Sequence, residues 1–178
     1  ADMADFVILF AASGSEETSR GVKKKITSFL VDIGAPGFSV EPGYNSVSHR
    51  GYHNFILNFD NCRVHKSQVL GEVDHGFDVA NEWLGATRLS VASMCLGRAE
   101  RALQIAIEWA ATREQFGQTI GKFQGVSFKL ADMSMELHAA ELLTLRAAWK
   151  DTKGEMTNSD AAMAKLKATE TLAMVSDE

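Results

Sequence analysis

Apolar residues recur at helical spacing from Gly76 to the end of the chain, and this periodicity constrains the fold more than any other feature of the sequence. In the first stretch, steps of four or seven residues separate Leu84, Val91, Cys95, Ala102 and Trp109. In the second, one stripe consists of Val126, Leu130, Met133, Leu137 and Ala140. A further apolar set on the second stretch consists of Phe128, Met135, Leu142, Leu145 and Trp149. Apolar residues on more than one side of a helix predict burial against several neighbours, including other subunits.

Signals for helix ends divide this region into three helices. Lys153-Gly154 is typical of a helix C-terminus and ends the second helix. Ser159 or Asp160 can cap a third helix that runs to the end of the chain. Because a bundle normally closes with a fourth helix, the sequence predicts an incomplete four-helix bundle.

The composition is different before about residue 72, where both prolines and most β-branched and aromatic runs lie. Strands are predicted at 6–12, 26–33, 38–40 and 53–60, with 62–65 as a possible continuation and a turn at 34–37. The predicted fold class is therefore α+β. Residues 1–72 form a small antiparallel, barrel-like β-domain, and residues 73–178 form the helical-bundle domain.

Charge and cysteine usage exclude several classes of function. The net charge is −5 with the signs interspersed, which argues against nucleic acid as the main partner. The longest apolar run falls far short of the roughly 20 residues that a membrane span needs. Cys62 and Cys95 fit no metal-ligand spacing and indicate reduced thiols in an intracellular protein. His49 and His53 have the four-residue spacing of a metal site on a helix. They lie in a predicted strand region, so no metal site is predicted.

Three further patterns leave alternatives open. Lys23-Lys24-Lys25 is interpreted as a solvated loop, with contact to a phosphate as the alternative. Both chain ends look cut, which suggests an internal piece of a longer protein; frayed natural termini are the alternative. Arg88 lies one turn after Leu84 in the apolar stripe, so its guanidinium needs a carboxylate, carbonyls or an anionic ligand, with an internal ion pair as the alternative to a functional role.

The segment between the first two helices, ATREQFGQTIGKFQGVSFKLADM at 111–133, is longer than the about two to five residues of a plain helix–helix turn. Arg113 offers a planar fork suited to a diphosphate, and Phe116 offers a stacking or packing face. Gln124 adds amide donors near the start of the next helix, where free N–H groups also favour anions. The alternative is an arginine at a helix C-terminus followed by a glycine cap at Gly117.

The same segment resembles the signature of the acyl-CoA dehydrogenase family, with its R-x-x-F-G and F-Q-x-x-x-F-x-L-A-D-M patterns. FDNCRV resembles the end of that family's β-domain, and ITSFLVDIGAPGFSV its middle strands. VLGEVDHGFDVANEWLGATRLSVASMCLGRAERAL resembles its first C-terminal helix. The resemblance implies that an N-terminal helical domain, the start of the β-domain and the last bundle helix lie outside this chain.

The resemblance also implies roles for individual residues. Arg113 matches the arginine at the diphosphate of FAD bound to a neighbouring subunit, and Gln115 and Phe116 match contacts near it. Ile120, Phe123 and Gln124 fall where the family holds the adenosine half of FAD. Arg88 and Thr87 match the acyl-CoA site.

The implied reaction is α,β-desaturation of an acyl-CoA thioester. A carboxylate takes the α-proton, the β-hydrogen leaves as hydride to FAD, and an electron-transfer flavoprotein accepts the electrons. The catalytic base is expected beyond Glu178, because the isovaleryl-type position just before the arginine is Thr87 here. His65 replaces a proline that is common in the family, which is interpreted as a local turn change.

The resemblance carries expectations for the setting of the protein and leaves other functions open. A homodimer or homotetramer is expected, in the cytoplasm of a bacterium or the mitochondrial matrix of a eukaryote. These 178 residues alone are expected to be inactive. Alternatives are an acyl-CoA oxidase, a flavin monooxygenase of the same fold or a catalytically dead scaffold.

Overall fold

A computed structural model describes residues 3–47 and 50–178, and the chain divides into two compact units between Glu82 and Trp83. In the first unit, β1 (Phe6–Thr18) and β2 (Gly21–Asp32) form a long antiparallel hairpin. The short β5 (Val69–Leu70) pairs with the other side of β2. β3 (Phe38–Pro42) and β4 (Phe55–Phe59) form a separate antiparallel pair. The antiparallel prediction is therefore confirmed, while the described strands form open sheets and no closed barrel.

Two predictions in this unit are wrong, and the first is the solvated loop at Lys23-Lys24-Lys25. Lys23, Lys24 and Lys25 lie in β2, where they pair with Glu16, Ser15 and Gly14 of β1. The Lys23 ammonium forms an ion pair with Glu16 of the facing strand at 3.5 Å. Cross-strand pairs of opposite charge stabilise a sheet, although lysine itself has a poor strand propensity.

The second wrong prediction is a strand at 62–65, where the structure has irregular backbone. His65 instead caps the 3₁₀ turn Lys66–Gln68, accepting at Nδ1 from the Ser67 N–H. The His65 N–H in turn donates to the Gln68 side chain. His49 lies outside the described residues, and within them no three histidine, cysteine, aspartate or glutamate side chains are arranged to hold a metal ion.

Hydrogen bonds from the sheet fix the residues just before the first long helix. Asp74 has a left-handed backbone, with φ at 69°. Its N–H donates to Thr27 Oγ1 at 2.8 Å, and its carboxylate accepts from Ser13 Oγ at 2.7 Å. A Cβ on Gly76 would lie 2.5 Å from the Ser28 nitrogen, so only glycine lets the helix begin this close to β2.

The second unit is helical, as the periodicity predicts. The helices of the described chain are α1 (Gly76–Thr112), whose first turns belong to the first unit, α2 (Gln124–Thr152) and α3 (Asn158–Asp177). Small residues form the centre of their core, and small side chains let helices approach closely. These residues are Ala92, Cys95, Ala147, Ala164 and Ala168. A second cluster contains Ala99 together with the larger side chains of Leu103, Met133 and Val175. In the described residues, no helix is both long and apolar enough to cross a membrane.

Burial agrees only partly with the predicted apolar stripes. Cys95, Met133 and Ala140 are buried, whereas Trp109 is exposed. The further set on α2 is exposed in this chain by itself, at Phe128, Met135, Leu142, Leu145 and Trp149. That another subunit covers this set stays a prediction.

The cap of α3 differs from the prediction of Ser159 or Asp160. Thr157 is the N-cap, and its side chain accepts from the Asp160 N–H at 3.1 Å. Asp160 accepts in return from the Thr157 N–H at 3.0 Å, and Lys150 donates to its carboxylate at 2.8 Å. The Lys150 ammonium, followed by the Thr157 hydrogen bonds, holds the pKa of Asp160 well below its usual value.

Folding lowers the pKa of Asp160, so its ionised carboxylate stabilises the folded state. This stabilisation is present at pH values above about 4, the pKa of an aspartate in the unfolded chain. We expect Asp160→Asn to lower the unfolding temperature at neutral pH. The difference from the wild type should shrink as the pH falls below about 4, because the carboxyl of the unfolded wild type then gains a proton while that of the folded protein stays ionised. Thermal melts of both proteins across this range provide the measurement. Asp151→Asn, at an exposed carboxylate near the end of α2, is the control; an equal loss in both variants would contradict the role of Asp160.

Candidate functional site: the connector between the first two long helices

The connector, residues 113–123, is a small hairpin followed by a 3₁₀ turn. β6 (Glu114–Gln115) pairs with β7 (Gln118–Thr119), and Ile120–Lys122 forms the 3₁₀ turn. Phe116 and Gly117 form the tip with φ of 52° and 80°, as in a type I′ turn. The Ile120 N–H donates to the Arg113 carbonyl at 2.8 Å and closes the hairpin. The hairpin is a feature that the sequence reasoning missed.

The evenly spaced glycines of this segment have different physical roles. Gly117 supplies a positive φ at the hairpin tip, so it does not cap α1. A Cβ on Gly121 would lie 3.0 Å from the Ala110 carbonyl oxygen, which shows how closely the 3₁₀ turn folds back on the end of α1. Nothing in the structure explains Gly125, which lies in open space at the start of α2.

These differences predict opposite outcomes for two alanine substitutions. Gly117→Ala places a Cβ on a left-handed residue, which costs about 1–2 kcal/mol. Gly125→Ala is expected to be neutral or to stabilise by up to about 1 kcal/mol, because alanine is the better helix former. Hydrogen exchange at the Ile120 amide measures the opening of the hairpin. Faster exchange in Gly117→Ala but not in Gly125→Ala is the expected result; equal exchange rates would contradict the turn assignment.

Arg113 projects from the base of the hairpin into solvent, immediately after α1. Its backbone N–H donates to the Trp109 carbonyl at 2.8 Å, so it continues the last helical turn. Its guanidinium carbon lies 5.9 Å from the centroid of the Trp109 ring. The described residues offer this guanidinium no carboxylate partner, which leaves its N–H donors free for an anion.

The remaining predicted cofactor residues follow Arg113 along the chain. Phe116 is 93% exposed and makes an edge-on contact with Phe123, with the ring centroids 6.2 Å apart. Gln115 is exposed in β6, and Ile120 is half-buried in the 3₁₀ turn. Gln124 is the exposed first residue of α2. Among the residues that the structure describes, no side chain caps this N-terminus, which leaves first-turn N–H groups free.

The predicted substrate residues lie on α1. Arg88 is half-buried, and its Nη1 donates to Asn158 Oδ1 at 3.5 Å, at the limit of a hydrogen bond. Within the described residues it has no ion pair with a carboxylate, which was the structural alternative for this arginine. Thr87 is exposed, and its hydroxyl donates to the Trp83 carbonyl at 3.0 Å. The roles of both residues toward a substrate stay predictions.

Comparisons with known proteins agree with one another. Residues 74–178 match the family model described as acyl-CoA dehydrogenase, C-terminal domain. The 3-(aryl)acrylate reductase of Clostridium sporogenes is 37% identical over 96% of this chain and 44% of its own length. The short-chain specific acyl-CoA dehydrogenase of Megasphaera elsdenii is 37% identical over 98% and 45%. The human mitochondrial short-chain specific enzyme is 38% identical over 98% and 42%. The chain thus spans about half the length of the curated relatives it matches.

Solved structures give the same result. Butyryl-CoA dehydrogenase from Megasphaera elsdenii superimposes with a TM-score of 0.84 at 36% identity, over 99% of this chain and 45% of its own. A chain in a study of the electron transferring flavoprotein of Acidaminococcus fermentans gives 0.82 at 34%, over 99% and 46%. PigA with FAD and proline gives 0.85 at 27%, over 97% and 44%. By family model, sequence and fold, this chain belongs to the acyl-CoA dehydrogenase family of oxidoreductases.

Proposed function

We propose that the full-length protein containing this chain is an FAD-dependent acyl-CoA dehydrogenase that desaturates an acyl-CoA thioester between its α and β carbons. The connector hairpin carries this proposal, because it presents the Arg113 guanidinium to solvent with its donors free, in a chain of this family. We further propose residues 1–72 as the β-domain and residues 73–178 as the bundle domain.

The donor set of the connector fits the chemistry of FAD. A diphosphate needs charge and several N–H donors, and these are available from the Arg113 fork and the uncapped start of α2. Aromatic faces suited to a nucleotide are available at Phe116 and Phe123. Bound FAD would supply the acceptor for the hydride that leaves the substrate.

We assign the connector residues to two parts of the cofactor. Arg113 binds the diphosphate, and Gln115 and Phe116 contact FAD beside it. Ile120, Phe123 and Gln124 hold the adenosine half. The exposure of Arg113, Gln115 and Phe116 at the hairpin supports binding to the FAD of a neighbouring copy, as the family resemblance implies.

Arg88 and Thr87 are our proposed contacts for the acyl-CoA. The Arg88 guanidinium is half-buried and has no ion pair with a carboxylate in the described part of the chain, so it remains available for an anionic or carbonyl group of the substrate. We place the base that removes the α-proton after Glu178, as the family resemblance implies. The residue before Arg88 is a threonine, so the other position used in the family offers no carboxylate here. A short-chain substrate is favoured by the names of the M. elsdenii and human relatives.

The assembly and the electron acceptor are also proposals. The exposed apolar set on α2 supports a homodimer or homotetramer, because a subunit contact would bury it. We propose an electron-transfer flavoprotein as the acceptor, supported by the likeness to a chain from the electron transferring flavoprotein study. The relatives support the bacterial cytoplasm or the mitochondrial matrix as the location.

Anaerobic addition of butyryl-CoA to the purified full-length protein tests the function. We expect the visible flavin absorbance to bleach, and to return on adding oxidised electron-transfer flavoprotein. Return with oxygen alone indicates an oxidase, and turnover that inserts oxygen into the substrate indicates a monooxygenase. Bound flavin that no acyl-CoA reduces, or no bound flavin at all, would contradict the proposal and favour a catalytically dead scaffold.

We also propose that the 178 residues by themselves do not turn over acyl-CoA. The reason is that the connector contacts are directed at a cofactor held largely by other parts of the protein. The isolated chain mixed with FAD and butyryl-CoA should show no flavin reduction. Stoichiometric, reducible flavin on the isolated chain would contradict this.

A further inference from the structure

Trp109 lies under the arginine that we assign to FAD. The two residues are separated by one helical turn at the end of α1, and the guanidinium carbon is 5.9 Å from the ring centroid. Within residues 3–47 and 50–178, this ring is the one partner that the structure gives the Arg113 side chain. Trp109 is itself 60% exposed, so its ring is not simply part of the buried core.

An aromatic partner has a different effect on an arginine than a carboxylate partner. A carboxylate neutralises the charge and uses the N–H donors, whereas a ring face attracts the cation through its quadrupole and leaves those donors free. The ring also restricts the arginine's rotamers before binding, so less entropy is lost when the guanidinium meets an anion.

We propose that Trp109 is a positioning residue that holds the Arg113 guanidinium ready for the diphosphate of FAD. This inference rests on the proposed function of Arg113. Trp109 acts through the arginine and makes no contact with FAD in this proposal. Its contribution should therefore vanish when the arginine is absent.

The chain contains a matched control for this pair. Lys153 lies over Trp149 at 4.3 Å, with the same four-residue spacing at the end of α2. Trp149 is exposed to a similar degree, at 55% against 60% for Trp109. Replacing either tryptophan by phenylalanine makes the same chemical change at a helix end, but only Trp109 lies beside the proposed FAD contact.

The test is FAD titration of the full-length apoprotein and its variants. We expect Trp109→Leu to weaken FAD binding about two- to fivefold, which lies within the range for the cost of immobilising one flexible side chain on binding. Trp109→Phe should recover part of the loss, because it keeps a ring with a weaker quadrupole. Trp149→Phe, which keeps an aromatic ring in the apolar set of α2, should leave the FAD dissociation constant unchanged and is the control for Trp109→Phe. In an Arg113→Ala background, Trp109→Leu should have no further effect on this constant.

Each other outcome has a distinct meaning. If Trp109→Leu leaves FAD binding unchanged, or weakens it equally in the Arg113→Ala background, the positioning role is rejected. Should Trp109→Leu fail to fold, the same double-mutant comparison is made with Trp109→Phe, where an additive effect would equally reject the role. If Arg113→Ala itself leaves the dissociation constant unchanged, the proposed function of the connector fails, and not merely the role of Trp109.

Discussion

Replacing Arg113 by alanine in the full-length protein is expected to weaken FAD binding about ten- to hundredfold, because a charge-assisted hydrogen bond contributes about 1.5–3 kcal/mol. The protein should lose flavin on dilution or gel filtration, and added FAD should restore activity. Arg113→Lys should recover only part of the affinity, because an ammonium keeps the charge but lacks the planar fork. The measurements are the flavin content per subunit and the FAD dissociation constant.

Arg101→Ala provides the control for charge and helix propensity, because Arg101 is an exposed arginine of the same helix. It should retain the flavin content of the wild type. The alternative role of Arg113, a cation at a helix C-terminus, predicts a small loss of stability with normal flavin content. Unchanged FAD affinity in Arg113→Ala would reject the binding role.

Replacing Ala168 by leucine is expected to give the largest stability loss among the substitutions considered. Ala168 is 0% exposed and packs in the alanine-rich centre of the three helices, beside Ala92 and Ala164. The extra carbons of leucine must displace helix backbones that are packed around small side chains. Such overpacking costs about 1–3 kcal/mol. The measurement is the midpoint of thermal unfolding of the full-length protein with FAD at saturation, which keeps cofactor loss out of the comparison.

Ala162→Leu makes the same chemical change on the same helix at an exposed position. Because alanine and leucine have similar helix propensities, this control should melt close to the wild type. If the two leucine variants melt together, the close packing of α3 at Ala168 is contradicted.

The long helices could be predicted because their signals are local. Gly76 begins α1 as expected, and the second helix ends at the Lys153-Gly154 signal, where Gly154 has a φ of 68°. The cap of α3 was also readable, since Thr157 and Asp160 form the Thr-x-x-acid pattern of a capping box. The prediction of Ser159 or Asp160 as the cap is wrong because Thr157 and Asp160 pair reciprocally.

The connector hairpin was harder to predict because phenylalanine is an unusual residue at the first central position of its type I′ turn. Type I′ turns favour asparagine or glycine at the first central position, and here Phe116 adopts the left-handed conformation. A bulky side chain held in this conformation is strained, and such strain clusters at binding sites. The contact between Trp109 and Arg113, in contrast, could have been inferred from their four-residue spacing on a helix.

A structure of the full-length protein with FAD tests the central claim most directly, through the distance from the Arg113 guanidinium nitrogens to the diphosphate oxygens. We predict a hydrogen-bond distance of about 2.7–3.2 Å, to the FAD held mainly by a neighbouring subunit. The Trp109 ring should remain under the guanidinium. FAD bound with its diphosphate held by other residues, and with Arg113 still in solvent, would contradict the account.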